Sequence, residues 1–213
     1  MEIISGEQEA DWAFKGVTTN AELARHPLLI LDVGGGSTEF ILGQGEHKHF
    51  SQSFRLGTVR LLEKLPHSDP PTAKELGRCR VWVRNFLETE VRPKLGPALS
   101  KEKKTSPEHR PVLLVGTGGT TSILARMEAK LEKYDREGIE ATRLNLERVR
   151  WHNERLWKLP LAKRKQIIGL PKKRADVILP GVAIYEAVME QFGFTELRVS
   201  TQGLRFAAVM EGA

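Results

Sequence analysis

The chain has 213 residues, 40% of them hydrophobic, with 19 Gly, 11 Pro and 28% charged residues. That composition suits one ordinary globular domain or two small ones, is ample for a buried core, and excludes collagen-like and wholly disordered chains. The net charge is +6, and the single cysteine, Cys79, excludes an internal disulfide framework and a metal site of several thiolates.

The N-terminal stretch MEIISGEQEAD is acidic and has no apolar leader. No apolar run approaches the ~18 residues of a membrane span, so a cytoplasmic protein with no membrane contact is expected. Residues 28–43, LLILDVGGGSTEFILG, read as a doubly buried strand, a tight glycine turn and a return strand. Residues 48–57 alternate apolar and polar side chains and predict a third strand. A short helix follows through Leu61, Leu62 and Leu65, then a breaker over 66–71. Apolar spacing predicts a helix over 72–91, and 100–109 reads as a polar loop.

A second strand and turn begin at 112–115 and 117–121, with a helix over 122–133 carrying Ile123, Leu124, Met127 and Leu131 on one face. A helix starting at Asn145 is expected to run to Trp157. Residues 159–173 are basic and match no template. The apolar helix over 175–192 contains Pro180, which predicts a kink or a delayed start. A last strand over 197–200 and a helix over 202–210 complete an α/β order. No repeat and no linker between separate domains is evident.

The turn Asp32-Val33-Gly34-Gly35-Gly36-Ser37-Thr38-Glu39 joins two apolar strands. Three successive glycines permit backbone conformations closed to other residues and a close ligand approach. Their N–H groups, with the Ser37 and Thr38 hydroxyls, can form an anion-binding concavity. Asp32 at the strand end would repel a phosphate unless a cation lay between them. Mg²⁺ takes one or two carboxylates plus phosphate oxygens and water, which makes Asp32 its candidate ligand. Glu39 could serve the same cation or an attacking water. A plain glycine hairpin with a solvated Asp32 is the structural alternative.

Gly116-Thr117-Gly118-Gly119-Thr120-Thr121 ends one strand and opens a helix, a second anion site at a helix N-terminus. Its alternative is an ordinary threonine cap. Neither turn fits G-x-G-x-x-G, no Gly-Lys pair exists for a Walker A loop, and G-x-S-x-G fails as well. Two such turns after buried strands, about 80 residues apart, are analogous to the paired phosphate hairpins of actin-like phosphotransferases.

On these residues the chain resembles the exopolyphosphatase / guanosine pentaphosphate phosphohydrolase (Ppx/GppA) family. The matching stretches are 2–17, LILDVGGGSTEFILG, VLLVGTGGTTSIL, 174–189 and ELRVSTQGLRFAAV, in family order over nearly the whole chain. The resemblance implies an actin-like, ribonuclease H-like α/β domain with a mixed sheet and flanking helices. It implies Mg²⁺-dependent hydrolysis of terminal phosphoanhydride bonds in polyphosphate or guanosine pentaphosphate, by in-line attack of water. It assigns Glu9 as the base that orients or deprotonates the water. It also assigns Asp32 as the cation ligand, Gly34, Gly35, Gly36 and Ser37 as phosphate holders, and Glu39 as a further functional carboxylate. Gly116, Thr117, Gly118, Gly119 and Thr120 match the second phosphate loop.

Family members begin with a first actin-like domain carrying a D-x-G-S-N-S turn. No such turn stands here, so the chain corresponds to the second domain: an entry segment over 1–27 with Glu9 and a phosphate-binding core over 28–213. Both acids of the family's S-D-x-G-L-R-E-G pattern are also replaced, by Thr201 and Phe206. A non-catalytic polyphosphate-binding module, or one half of a two-domain phosphatase, therefore stands beside the hydrolase reading. A homodimer or a separate first domain would be the partner.

From residue 148 to 174 the chain carries ten basic residues and one acidic residue, Glu154. This band is either a solvated face or a polyanion surface, with Lys172, Lys173 and Arg174 the first choices for phosphate contacts. A nucleic-acid partner is disfavoured, since no recognised motif accompanies the band. His47 and His49 share a strand face but lack a third metal ligand. Trp12, Trp82, Trp151 and Trp157 read as packing rather than stacking platforms, and Cys79 as a structural thiol.

Overall fold

The computed structural model describes residues 6–105 and 110–203. The residues before Gly6, including most of the I-S-G stretch, and the body of the helix expected over 202–210 lie outside the described residues. The chain opens with α1 (Gly6–Thr18) and α2 (Ala21–Ala24), followed by the meander β1 (Leu28–Val33), β2 (Thr38–Gln44) and β3 (His47–Phe54). Next come α3 (Thr58–Lys64), α4 (Ala73–Phe86), a π-helical turn (Leu87–Val91) and α5 (Arg92–Thr105). The second half runs β4 (Leu113–Thr117), α6 (Gly118–Glu128), α7 (Arg136–Ala141), β5 (Arg143–Asn145), α8 (Leu146–Trp157) and α9 (Leu161–Arg164). A 3₁₀ turn (Lys172–Arg174), α10 (Ile178–Phe192) and β6 (Glu196–Val199) close it.

The strands form one sheet in the order β3-β2-β1-β4-β6-β5. β1 is parallel to β4 and β4 to β6, while the other pairs are antiparallel. This is the mixed sheet with flanking helices that the family resemblance implies. Alternation along the strands sorts the core into two layers. Leu29, Leu31, Val33, Phe40, Leu42 and Leu114 face the main core under α4, α6, α8 and α10. Leu28, Ile30, Ile41 and Val115 face the other way, beneath Ala10, Ala13, Phe14 and Val17 of α1. No helix among the described residues is long and apolar enough to cross a membrane.

Four local expectations are corrected. The helix expected to end at 91 continues through the π turn into α5, where Arg92 N–H reaches back to Leu87 O. Pro93 has no N–H to continue the regular ladder, and a π turn accommodates that gap. Residues 100–104 are therefore helix rather than loop, held by buried Leu95, Leu99 and Glu102. The span 117–121 is not a free turn, because α6 already begins at Gly118. The three-residue edge strand β5 was not anticipated at all.

Other expectations hold. Asn145 caps α8 through its side chain, accepting from Arg148 N–H at 2.8 Å. Pro180 delays α10 rather than kinking it: the helix starts at Ile178, so the proline sits in the first turn, where N–H groups lack intrahelical partners. Cys79 is buried, and burial, with the Glu186 charge, pushes its thiol up to about 12, so it is inert as expected.

Tyr185 of α10 ties the layers together below the end of β1 that carries Asp32. Its hydroxyl donates to Leu31 O of β1 at 3.0 Å and also meets the Thr121 hydroxyl of α6. Burial pushes its pKa up, so it remains a neutral donor. Tyr185→Phe leaves buried acceptors without their donor, and a loss of about 1–2 kcal/mol of stability is expected. Urea unfolding checks it: the midpoint should fall with an unchanged slope.

Candidate functional site

The sheet register lines up the candidate residues. Asp32 of β1 lies opposite Glu39 of β2 and Thr117 of β4, and Glu39 lies opposite Ser53 of β3. Residues directly opposite share a face. Ser53, Glu39, Asp32 and Thr117 thus form a polar row across four strands. The apolar row Ile41-Ile30-Val115 lies two positions further into the sheet on the same face, about 7 Å away along the strands. α1 covers that apolar row and leaves the polar row at its edge.

The first glycine turn leaves β1 at this end. Gly34 N–H donates to Ser37 O at 2.9 Å, closing it. Contrary to expectation, Gly34, Gly35 and Gly36 adopt no left-handed backbone. The glycines serve close approach instead: a Cβ on Gly57 would lie 2.3 Å from Gly35 O. The first N–H groups of α3 are used on the turn, Thr58 N–H to Gly34 O and Val59 N–H to Gly35 O, both at 2.9 Å. Ser37 and Ser53 hydroxyls both donate to Glu39 Oε1, at 2.6 and 2.8 Å. Two donors on one oxygen fix the carboxylate and bind Ser37 into the polar row. The Thr38 hydroxyl turns away to Leu56 O.

The second turn is built differently. Gly118 stands at φ +80°, and a Cβ there would come within 2.3 Å of Asp32 Oδ1. The Asp32 carboxylate therefore lies directly against the start of α6. The Thr117 hydroxyl is buried with no hydrogen-bond partner among the described residues. Gly116 lies within β4, its carbonyl accepting from Ser200 N–H at 3.0 Å. Thr120 donates to Val33 O at 3.0 Å, locking the second turn to the end of β1.

Asp32, Gly118 and Gly119 line a cleft of about 570 Å³ with three cations, Arg126, Lys173 and Arg174. The partial positive charge of the α6 N-terminus adds to theirs. Arg174 Nη2 lies 3.8 Å from the position of a Cβ on Gly119. Lys173 and Arg174 were anticipated from sequence; Lys172 does not line the cleft. Arg126 was missed, although it lies seven residues after Gly119, two turns along the same helix face. Its Nη2 donates to Glu132 O at 2.9 Å, while its Nε is buried without a partner among the described residues. Thr201 also lines the cleft, and its N–H donates to Glu140 Oε1 at 3.2 Å.

The turn residues 34–37 and the carboxylates of Glu9 and Glu39 do not line this cleft. Glu9 is related to it through α1. A Cβ on Gly16, two turns further on the same helix edge, would strike the carbonyls of Gln202 and Gly203. Gly203 in turn abuts the Thr117 hydroxyl. Glu9 therefore stands on the α1 edge that carries the Gly16–Gly203 contact.

Part of the rest of the basic band is neutralised within the molecule. Arg148 pairs with Glu128 at 3.0 Å, Arg150 with Glu190 at 2.7 Å, and the buried Arg164 reaches Asp69 at 3.9 Å. His49 pairs with Glu102 at 2.7 Å, and no group of three metal-ligating side chains occurs among the described residues.

Comparison with known proteins bears on the family and the fold. The model of the Ppx/GppA phosphatase family matches residues 1–211. Exopolyphosphatase 2 of Mycobacterium tuberculosis is 33% identical over 203 residues, covering 93% of this chain and 60% of that protein. Guanosine-5'-triphosphate,3'-diphosphate pyrophosphatase of Vibrio cholerae is 28% identical over 213 residues, covering 99% of this chain and 38% of that one. A solved structure of the Ppx/GppA enzyme of Aquifex aeolicus matches with a TM-score of 0.81 at 29% identity, covering 99% of this chain and 64% of its own. The sheet and its flanking helices are thus those of the actin-like Ppx/GppA structures, and the chain spans less than two thirds of the length of these relatives.

Proposed function

The chain belongs to the Ppx/GppA phosphatase family, and we propose that it holds the terminal phosphoryl groups of polyphosphate or guanosine pentaphosphate for in-line attack by water. The observation that carries this reading is the cleft that joins Asp32, the N-terminus of α6 and the cations Arg126, Lys173 and Arg174. A phosphate chain lying there meets backbone donors at Gly118 and Gly119 and positive charge on its far side. Positioning and charge neutralisation account for most of phosphoryl-transfer catalysis, and these residues supply both.

The donor set also fits Mg²⁺. One carboxylate, Asp32, stands opposite Thr117, whose hydroxyl has no partner among the described residues; both are hard oxygen donors, with the remaining positions left to phosphate and water. When bound, the ion would neutralise phosphate charge next to Asp32. Glu39, fixed by two serine hydroxyls, and Glu9, on the α1 edge that carries Gly16, are the carboxylates available to the water. In the proposed step the water oxygen bonds to the terminal phosphorus, the bridging P–O bond breaks, and Glu9 takes the proton.

A second reading is favoured by the placement of the described phosphate contacts, all of which lie at one end of a single sheet. A phosphate-holding module, or one half of a clamp, would use the same cleft without turnover. Orthophosphate release from long-chain polyphosphate with Mg²⁺, run beside Glu9→Gln, separates the two. Release by the unaltered chain, cut at least ~100-fold in the variant with affinity within about twofold, is the expected result. Full activity in Glu9→Gln removes Glu9 from the mechanism. Binding with no release by the unaltered chain supports the holding module.

A further inference from the structure

Gly181 is buried in the first turn of α10. Glycine is the poorest helix former after proline, so a buried glycine inside a helix calls for a packing reason. Here the reason is steric. A Cβ on Gly181 would lie 2.5 Å from Thr120 Cγ2 and 3.1 Å from Thr58 Cγ2, both inside the ~3.5–4.0 Å at which carbon atoms pack. The bare backbone of α10 thus rests on two threonine methyls, one from the start of α6 and one from the start of α3.

Those two threonines hold adjacent points of the chain. The Thr120 hydroxyl donates to Val33 O at 3.0 Å, and Thr58 N–H donates to Gly34 O at 2.9 Å. These are consecutive carbonyls, where β1 runs into the first glycine turn. α3 goes on to hold the next two: Val59 N–H donates to Gly35 O and Arg60 Nε to Gly36 O, both at 2.9 Å. Every carbonyl from Val33 to Gly36 is therefore held, the first from α6 and the other three from α3. Thr58 and Thr120 are both buried. The chain enters α10 directly from the 3₁₀ turn that carries Lys173 and Arg174, two of the cations that line the Asp32 cleft.

We propose that Gly181 is a positioning residue that seats the two glycine turns as one unit. The first turn does not line the cleft, yet its backbone is tied through Thr58 and Thr120 to the helix that the cleft cations lead into. A close-packed interior passes the displacement of one member to its neighbours. When a phosphate chain takes the N–H groups of Gly118 and Gly119, the adjustment of α6 is carried by Thr120 to Val33 O and across Gly181 to Thr58 and Gly34 O. The functional half of this inference rests on the phosphate-holding reading above and gives the first turn a part in it without direct contact.

Gly181→Ala tests it by two readouts. In the ligand-free protein, the amide resonances of Gly34, Gly35 and Gly36 should shift together with those of Gly118 and Gly119, although the nearest contacts of the new methyl are Thr120 and Thr58. By calorimetry, inorganic tripolyphosphate with Mg²⁺ should bind about tenfold more weakly. In a Thr120→Ser background, which lacks the obstructing methyl and keeps the hydroxyl on Val33 O, the same change should cost no more than about threefold. The remaining approach to Thr58 should still shift the first-turn amides relative to Thr120→Ser alone, so the test can be read even where Gly181→Ala by itself does not fold. Lower thermal stability with affinity and both sets of amides unmoved would make Gly181 a packing residue only and overturn the proposal. Shifts confined to Gly118 and Gly119 would overturn it as well. Failure of the unaltered chain to bind tripolyphosphate overturns the phosphate-holding reading, and the ligand-free shifts still decide whether Gly181 joins the two turns.

Discussion

Asp32→Asn is expected to reduce Mg²⁺-dependent orthophosphate release at least ~100-fold while leaving the fold intact. Asparagine has nearly the shape of aspartate, so the close fit against Gly118 survives and the change is one of charge. The loss concerns charge stabilisation at the reacting phosphate, where removing a single electrostatic contact typically lowers turnover by about 10²–10³. Metal-free binding should change in the opposite direction. Without a cation, the Asp32 carboxylate repels a phosphate chain in the cleft, and the neutral side chain removes that repulsion. Tripolyphosphate affinity in chelator should therefore be equal or higher in the variant, and the affinity gained on adding Mg²⁺ should shrink. Turnover within threefold of the unaltered chain would show that Asp32 does not hold the cation. Loss of both turnover and metal-free binding would point instead to a collapsed cleft.

The sequence made the strands and turns of this site legible because their signals are local. Four consecutive apolar residues before Asp32 mark a strand buried on both faces, and Gly34 to Gly36 mark the turn. The polar row was not legible. It depends on the register of β1 against β4, a parallel pairing between segments about 80 residues apart, which no local pattern encodes. Ser53 was passed over for that reason, although it fixes Glu39 as firmly as Ser37 does.

The second turn shows the opposite difficulty. Glycines at 118 and 119 argue against helix by propensity, so the helix was expected to begin at 122. Tertiary contacts decide otherwise: Thr120 binds Val33 O, Thr121 meets Tyr185, and α6 is nucleated from its first residue. Likewise, 100–104 looks like a loop by polarity, yet it continues a helix whose preceding turns bury Leu95 and Leu99. Lys173 and Arg174 could be picked from their charge and position. Arg126 needed the helix to start at Gly118 before its spacing placed it on the cleft.

Gly118→Ala is expected to destabilise the protein by about 3 kcal/mol, from two sources that experiment can separate. The first is backbone. At φ +80° an alanine sits where its Cβ crowds the following carbonyl, which costs about 1–2 kcal/mol. The second is contact: the new methyl would lie 2.3 Å from Asp32 Oδ1 and 3.2 Å from Oδ2. Either the carboxylate or the first turn of α6 must move. For a chain of this size the melting temperature should fall by about 6–12 °C. Asp32→Ala in the same background removes the clashing oxygens and leaves only the backbone part. The double variant should therefore be less destabilised than the sum of the single ones, by about 1–2 kcal/mol. Strict additivity would mean that Asp32 swings clear of Gly118 without cost, and the close fit of carboxylate to helix would not be what positions it. Positive coupling would show that the left-handed glycine is there for the carboxylate: its missing side chain is the space Asp32 occupies, and the helix N-terminus and the acid at the strand end are set as one unit.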